Sequence, residues 1–116
     1  MGNVSKRTKR LGESQAADAF AALGNRARLR LLRLLVRAGP DGLNVGDIGR
    51  LLKMPASTLA HHLTALVRAG LVTQERRGRE VFCTADYPTI KGAAAYLIEE
   101  CCVGVVDLSI TRPDAA

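Results

Sequence analysis

PASTLAHHLTALVRAGLVTQERRGRE, residues 55–80, reads as a polar-fronted helix followed by a basic hairpin, and the rest of the chain is organised around it. In the helical part Leu59, Leu63, Leu66 and Val67 recur at three-and-four spacing, so they stripe one face and should meet a core. Ser57, His61, Thr64 and Arg68 follow at steps of four, three and four and project together from the other side. Such a helix can enter the major groove of DNA with its N-terminal side chains nearest the base edges. Ser57, Thr58, His61 and His62 are the candidates for that contact. Gly70 supplies the left-handed backbone that ends a helix. Residues 71–76 and 79–84 then form two strands around a tight turn at Arg77-Gly78, with Arg76, Arg77 and Arg79 crowding the tip.

Working outward, 116 residues make one domain with a modest core, which oligomerisation would help to stabilise. The formal charge of +6 favours a polyanionic partner, and its distribution is uneven. Residues 1–40 carry nine Lys or Arg against Glu13 and Asp18, and the remainder is close to neutral. Residues 1–13 are basic and poor in apolar side chains, and read as a flexible arm. Trp is absent and Phe20, Phe82, Tyr87 and Tyr96 are the only aromatics, which argues against stacking on single-stranded nucleic acid. With no apolar run of about 20 residues and no export signal, the protein is expected to be cytoplasmic and away from membranes.

Ser14 is placed to cap a helix over 14–22, and Asn25 to cap a second, RARLRLLRLLVRA, that stops at Gly39-Pro40. On that second helix Arg26, Arg30, Arg33 and Arg37 share one face, for which a solvated surface is the simplest reading. Asn44 offers the cap of a third helix, VGDIGRLLKM, that ends before Pro55 and completes a helix-turn-helix with the fourth. A last helix over 89–102 carries an apolar stripe of Ile90, Ala93, Ala94, Leu97 and Ile98 with nothing left in the chain to cover it. Pairing with a second copy would cover it, giving a homodimer through the last helix and the N-terminal helices, and so a palindromic operator. The expected fold is mainly α with a two-stranded β wing, in the order α1-α2-α3-α4-β1-β2-α5. The domain runs over 14–108 and a C-terminal tail over 109–116.

No Cys-x-x-Cys, no His near a Cys in sequence and no acid-base constellation is present, so an enzyme is not expected. Three cysteines in a reducing compartment argue against a disulfide framework and leave free thiols, a redox switch or a soft-metal site.

ALGNRARLRLLRLL, STLAHHLTALVRAGLV and the basic wing, in that order, resemble the ArsR/SmtB family of metal- and metalloid-responsive repressors over about residues 20–97. One departure is Ala60, where the family commonly has Ser before the positions of His61 and His62. The resemblance implies a dimeric repressor that leaves its operator when an inducer binds. The family's Cys-x-Cys arsenic site falls here on Asn44 and Gly46, and its zinc site on the last helix lacks histidines. Cys83, Cys101 and Cys102 remain as the candidate ligands. Soft thiolates suit a trivalent arsenical as inducer: arsenite or antimonite if all three sulfurs converge, methylarsenite if only Cys101 and Cys102 bind. Cys83 reads equally well as a small buried apolar residue. The alternative on the same scaffold is a repressor responsive to oxidants or sulfide through a thiol switch.

Overall fold

The computed structural model describes residues 8–105. Five α-helices and three short strands follow in the order α1 (Glu13–Leu23), α2 (Arg26–Ala38), a 3-10 turn (Gly39–Asp41), β1 (Leu43–Asn44), α3 (Val45–Leu52), α4 (Ala56–Arg68), β2 (Val72–Arg77), β3 (Glu80–Ala85) and α5 (Tyr87–Ile98). Helix order and wing follow the pattern of the sequence, and short-range chemistry explains most of the boundaries. Asn25 accepts a 3.0 Å hydrogen bond from the Arg28 amide, Asn44 a 2.7 Å bond from the Asp47 amide, and Asp86 a 3.1 Å bond from the Thr89 amide. Each side-chain oxygen satisfies one of the first-turn donors that a helix leaves unpaired. The first helix starts earlier than Ser14. Gly12 is its N-cap, and the Gln15 side chain reaches back to accept from the Gly12 amide at 2.9 Å. Gly70, at φ +81°, turns the chain out of α4 as expected.

The sheet is larger than a two-stranded wing. β3 lies centrally, antiparallel to β2 on one side and to the two-residue β1 on the other, with Leu43 opposite Cys83 and Asn44 opposite Phe82. Two residues with one pairing partner forty positions away carry no local signal, so β1 was invisible to periodicity. At the wing tip Arg77 pairs with Glu80, which shifts the two-residue turn to Gly78-Arg79 with Gly78 at φ +65°. A glycine with positive φ at the first turn position matches the right-handed twist of the flanking strands. Gly42, at φ +69°, leads into β1 so closely that a β-carbon there would meet the Cys83 carbonyl oxygen. Gly42→Ala is expected to destabilise the fold by about 1 to 3 kcal/mol, from strained φ and the backbone clash together. An unchanged urea midpoint would contradict this.

Leu31 and Leu35 of α2, Ile48 of α3, Leu59 and Leu66 of α4, and Leu71 are at most 1% exposed and form the centre of the core. Burying side chains of this size contributes roughly 1.5 to 3 kcal/mol each. Val67 departs from the expected stripe at 36% exposure, because it stands at the margin of the face that Leu59, Leu63 and Leu66 define.

The chain ahead of α1 is held rather than loose from Lys9 onward. The Lys9 amide donates to the Pro88 carbonyl at 2.9 Å, and Leu11 is buried against the domain. Gly92 of α5 admits this strap, since a β-carbon there would run into the Lys9 carbonyl oxygen. The arm read over 1–13 is therefore corrected for its second half. Residues 1–7, the domain's last residues 106–108 and the tail over 109–116 lie outside the described residues. Among the described residues no helix is long and apolar enough to cross a membrane.

Candidate nucleic-acid interface and thiol pair

Helix α4 presents the polar face that its spacing required. Ser57, Thr58, His61, Thr64 and Arg68 are all exposed, while Leu59, Leu63 and Leu66 hold the helix to the core. Pro55 occupies its N-cap position without a side-chain acceptor, so the first-turn amides keep their donors free for a phosphate or a base edge.

His62 does not belong to that face. It is 9% exposed, and its Nδ1 lies 3.3 Å from a guanidinium nitrogen of Arg28, whose Nε donates to the Ala22 carbonyl at 2.6 Å. Burial, then the Arg28 charge, then His61 beside it, hold the His62 imidazole below its ordinary value near 6.5. It is therefore neutral at pH 7 and pins α4 to α2. The inward position follows from helical spacing, because His62 stands three residues after Leu59 and four before Leu66. Arg28 was not singled out from the sequence at all; its separation from the stripe of Arg26, Arg30, Arg33 and Arg37 was the available signal. His61→Ala is expected to cost about 1 to 3 kcal/mol of discrimination at one base pair. If all single-base operator variants keep their relative affinities, His61 does not read a base edge.

The wing carries exposed Arg76, Arg77 and Arg79 around the Gly78 turn. Arg77 is partly tethered: it donates to Glu75 at 3.1 and 3.2 Å, and its guanidinium carbon sits 4.3 Å from the centre of the Phe82 ring. A stacked guanidinium keeps its outer donors while losing little further freedom on binding, which suits it to a phosphate. Arg77→Ala is expected to weaken binding similarly at every sequence and to lower the salt slope by about one. An unchanged slope would show that Arg77 makes no phosphate contact.

The three cysteines are split. Cys83 is fully buried in the central strand, opposite Leu43 and Gln74, and takes a 3.6 Å hydrogen bond from the Gln74 amide nitrogen. Burial pushes its thiol up, only partly offset by the Gln74 bond, so Cys83 is a protonated, poorly nucleophilic side chain. Cys101 and Cys102 are exposed, with their sulfurs 3.3 Å apart. Among the described residues no three His, Cys, Asp or Glu gather into a group able to hold a metal ion. The three-sulfur arrangement is thus not formed within this chain, since Cys83 is committed to the core of the sheet.

Helix α5 explains how the remaining two sulfurs come together. It stops at Ile98, short of the Cys102 end expected from its stripe. On a continuing helix, neighbouring side chains would diverge by about 100°. Instead the Cys101 amide donates to the Ile98 carbonyl at 2.9 Å and the Val103 amide to the Glu100 carbonyl at 3.1 Å. Glu100 and Cys102 take left-handed backbone, at φ +67° and +66°. Those turns replace the helical divergence and set the thiols side by side. The apolar stripe leading to them is covered by this chain at its start and open only at its end. Ala93 is buried in the core and Ile90 packs against it, contrary to the expectation of a wholly uncovered face. Leu97 and Ile98 are each 67% exposed and, beyond the helix, Val103 68% and Val105 75%.

Residues 23–75 match a family model described as a helix-turn-helix domain. An uncharacterized HTH-type transcriptional regulator, YbzH of Bacillus subtilis strain 168, is 34% identical over 95 residues, 72% of this chain and 95% of that protein. Among solved structures, an ArsR-like transcriptional regulator from Rhodococcus sp. RHA1 aligns with TM-score 0.66 at 28% identity, covering 74% of this chain and 78% of that one. The homodimeric winged helix-turn-helix DNA-binding domain of Mb0332 from Mycobacterium bovis, a possible ArsR-family regulator, aligns with TM-score 0.60 at 27% identity over 75% of this chain and 81% of that one. The polar reading helix, the basic wing and these matches agree: the chain is a DNA-binding transcriptional regulator, not an enzyme, and it belongs to the ArsR family of winged helix-turn-helix proteins.

Proposed function

We propose that this regulator is a homodimeric repressor of a palindromic operator, and that a trivalent arsenical held by Cys101 and Cys102 releases it from DNA. The single observation that carries the reading is the exposed pair of sulfurs 3.3 Å apart, just beyond the uncovered apolar end of α5. Two thiolates at that spacing fit a single soft atom with two sulfur bonds, and among the described residues no third His, Cys, Asp or Glu joins them to form a metal-holding group. The donor set therefore favours methylarsenite, which offers two exchangeable positions, over arsenite or antimonite, which take three. Bound there, the arsenical cross-links adjacent cysteines. This chain's part is to present them at a turn that can tighten or open.

The homodimeric Mb0332 domain supports the dimer, as does the apolar face from Leu97 to Val105. Because the thiols adjoin that face, drawing them together changes how two copies meet and hence the spacing of their reading helices. An inducer that favours the mis-spaced dimer must lower DNA affinity by the same factor. A second reading rests on the same pair: oxidation of the two thiols, with a peroxide or persulfide as electron acceptor, closes the turn without arsenic.

Anisotropy titration of a labelled operator, in a phosphine reductant that keeps thiols free, separates the two. Release is expected with methylarsenite at about one equivalent per chain, and at higher concentration with arsenite. If both leave the complex intact while mild oxidant releases it reversibly, the redox reading replaces the metalloid one.

A further inference from the structure

We propose that the outer face of α2 is a docking groove for an acidic amphipathic helix of a protein partner, separate from the DNA face and the thiol pair. Arg26, Arg30, Arg33 and Arg37 line an open groove of about 370 Å³. All four side chains are exposed, and among the described residues none of the four makes a side-chain hydrogen bond or ion pair. Two ion pairs of the fold use other arginines, Arg50 with Asp47 and Arg77 with Glu75.

The groove is apolar beneath the charges. Leu34 and Leu52 form part of its lining, and Leu29 stands at its edge 46% exposed. Guanidiniums alone would suit DNA phosphates. Leucines between them do not, because a phosphate backbone gains nothing from an apolar floor. From Arg26 to Arg37 the stripe runs eleven residues, about 16 Å along the helix axis. That length and the four-three-four spacing match a second helix carrying carboxylates at the same intervals and apolar residues beside them. A compact anion could reach only one or two of the four cations. Aliphatic arginine stems shield the leucines in the free protein, and an acidic helix would engage the guanidiniums while its own apolar side chains take the stems' place.

The probe is a fluorescent, helix-stabilised peptide of about 14 residues with Glu at i, i+4, i+7 and i+11 and Leu on the adjoining face. Its control has the same composition with the helical period scrambled. Full-length protein should bind the patterned peptide more tightly than the scrambled one, with methyl shifts at Leu29, Leu34 and Leu52. An Arg30→Gln, Arg33→Gln double variant should weaken peptide binding about fivefold, given the modest strength of exposed ion pairs. Operator affinity should stay within about twofold. Leu29→Ser should weaken the peptide with operator binding unaltered. Absent or equal binding of the two peptides, or displacement by inorganic phosphate at matched ionic strength, would overturn the proposal. A loss of operator affinity in the double variant would assign the stripe to DNA instead, and overturn it equally.

Discussion

Cys101→Ser and Cys102→Ser, made singly, are each expected to leave operator binding unchanged and to raise the methylarsenite concentration needed for release by at least about a hundredfold. One thiolate alone forms an exchangeable adduct. A second sulfur 3.3 Å away makes the next bond intramolecular. The gain from such closure is on the order of a hundred- to ten-thousandfold, so removing either partner forfeits most of it. Both residues are exposed, so their replacement costs the fold little. Cys83→Ala is the companion variant, preferred to serine because a hydroxyl in that fully buried site would lack solvation. It should lose stability through the small cavity it leaves and yet be released by the same methylarsenite concentration as the parent. If Cys83→Ala abolishes release while Cys101→Ser does not, the site has been assigned to the wrong thiols.

Leu97→Glu with Ile98→Glu carries the second large effect. Both side chains are two-thirds exposed in the single chain, so charging them should leave its folding nearly intact. If the proposed two-fold dimer forms through this end of α5, both copies bring the pair into one interface, and four carboxylates would then be buried there without partners. Sedimentation should show monomer, and operator affinity should fall by about a hundredfold or more, because two half-sites would no longer be held by one tethered body. A dimer that persists with unaltered affinity would place the interface elsewhere, with the strap over 8–12 and α1 the next surface to consider.

Much of this architecture was legible because its determinants are local. Asn25, Asn44 and Gly70 act within one turn of themselves, and so they mark helix boundaries in the sequence itself. The two histidines show where local reading was applied unevenly. Spacing put His61 on the polar face, and the same spacing put His62 among Leu59, Leu63 and Leu66, although short distance along the chain had grouped it with its neighbour. Features that depend on distant partners were not legible. β1 exists only by pairing with β3, and Leu11 is buried only because Gly92 leaves room for the strap. Likewise Arg77 rests on Phe82 from across the hairpin, and the Tyr87 hydroxyl donates to the Val36 carbonyl 51 positions away at 2.8 Å. At the thiol site the residue types were evident and the geometry was not. No glycine or proline marks the end of α5 at Ile98, and the left-handed residues that bring the sulfurs together are Glu100 and Cys102.

X-ray absorption at the arsenic edge of the reduced dimer carrying methylarsenite tests the central claim most directly, because it counts the sulfurs bound to arsenic. Two sulfurs per arsenic are predicted, unchanged in Cys83→Ala and reduced in Cys101→Ser. Fewer than two in the parent protein, or the loss of one in Cys83→Ala, would contradict a site built from the vicinal pair alone.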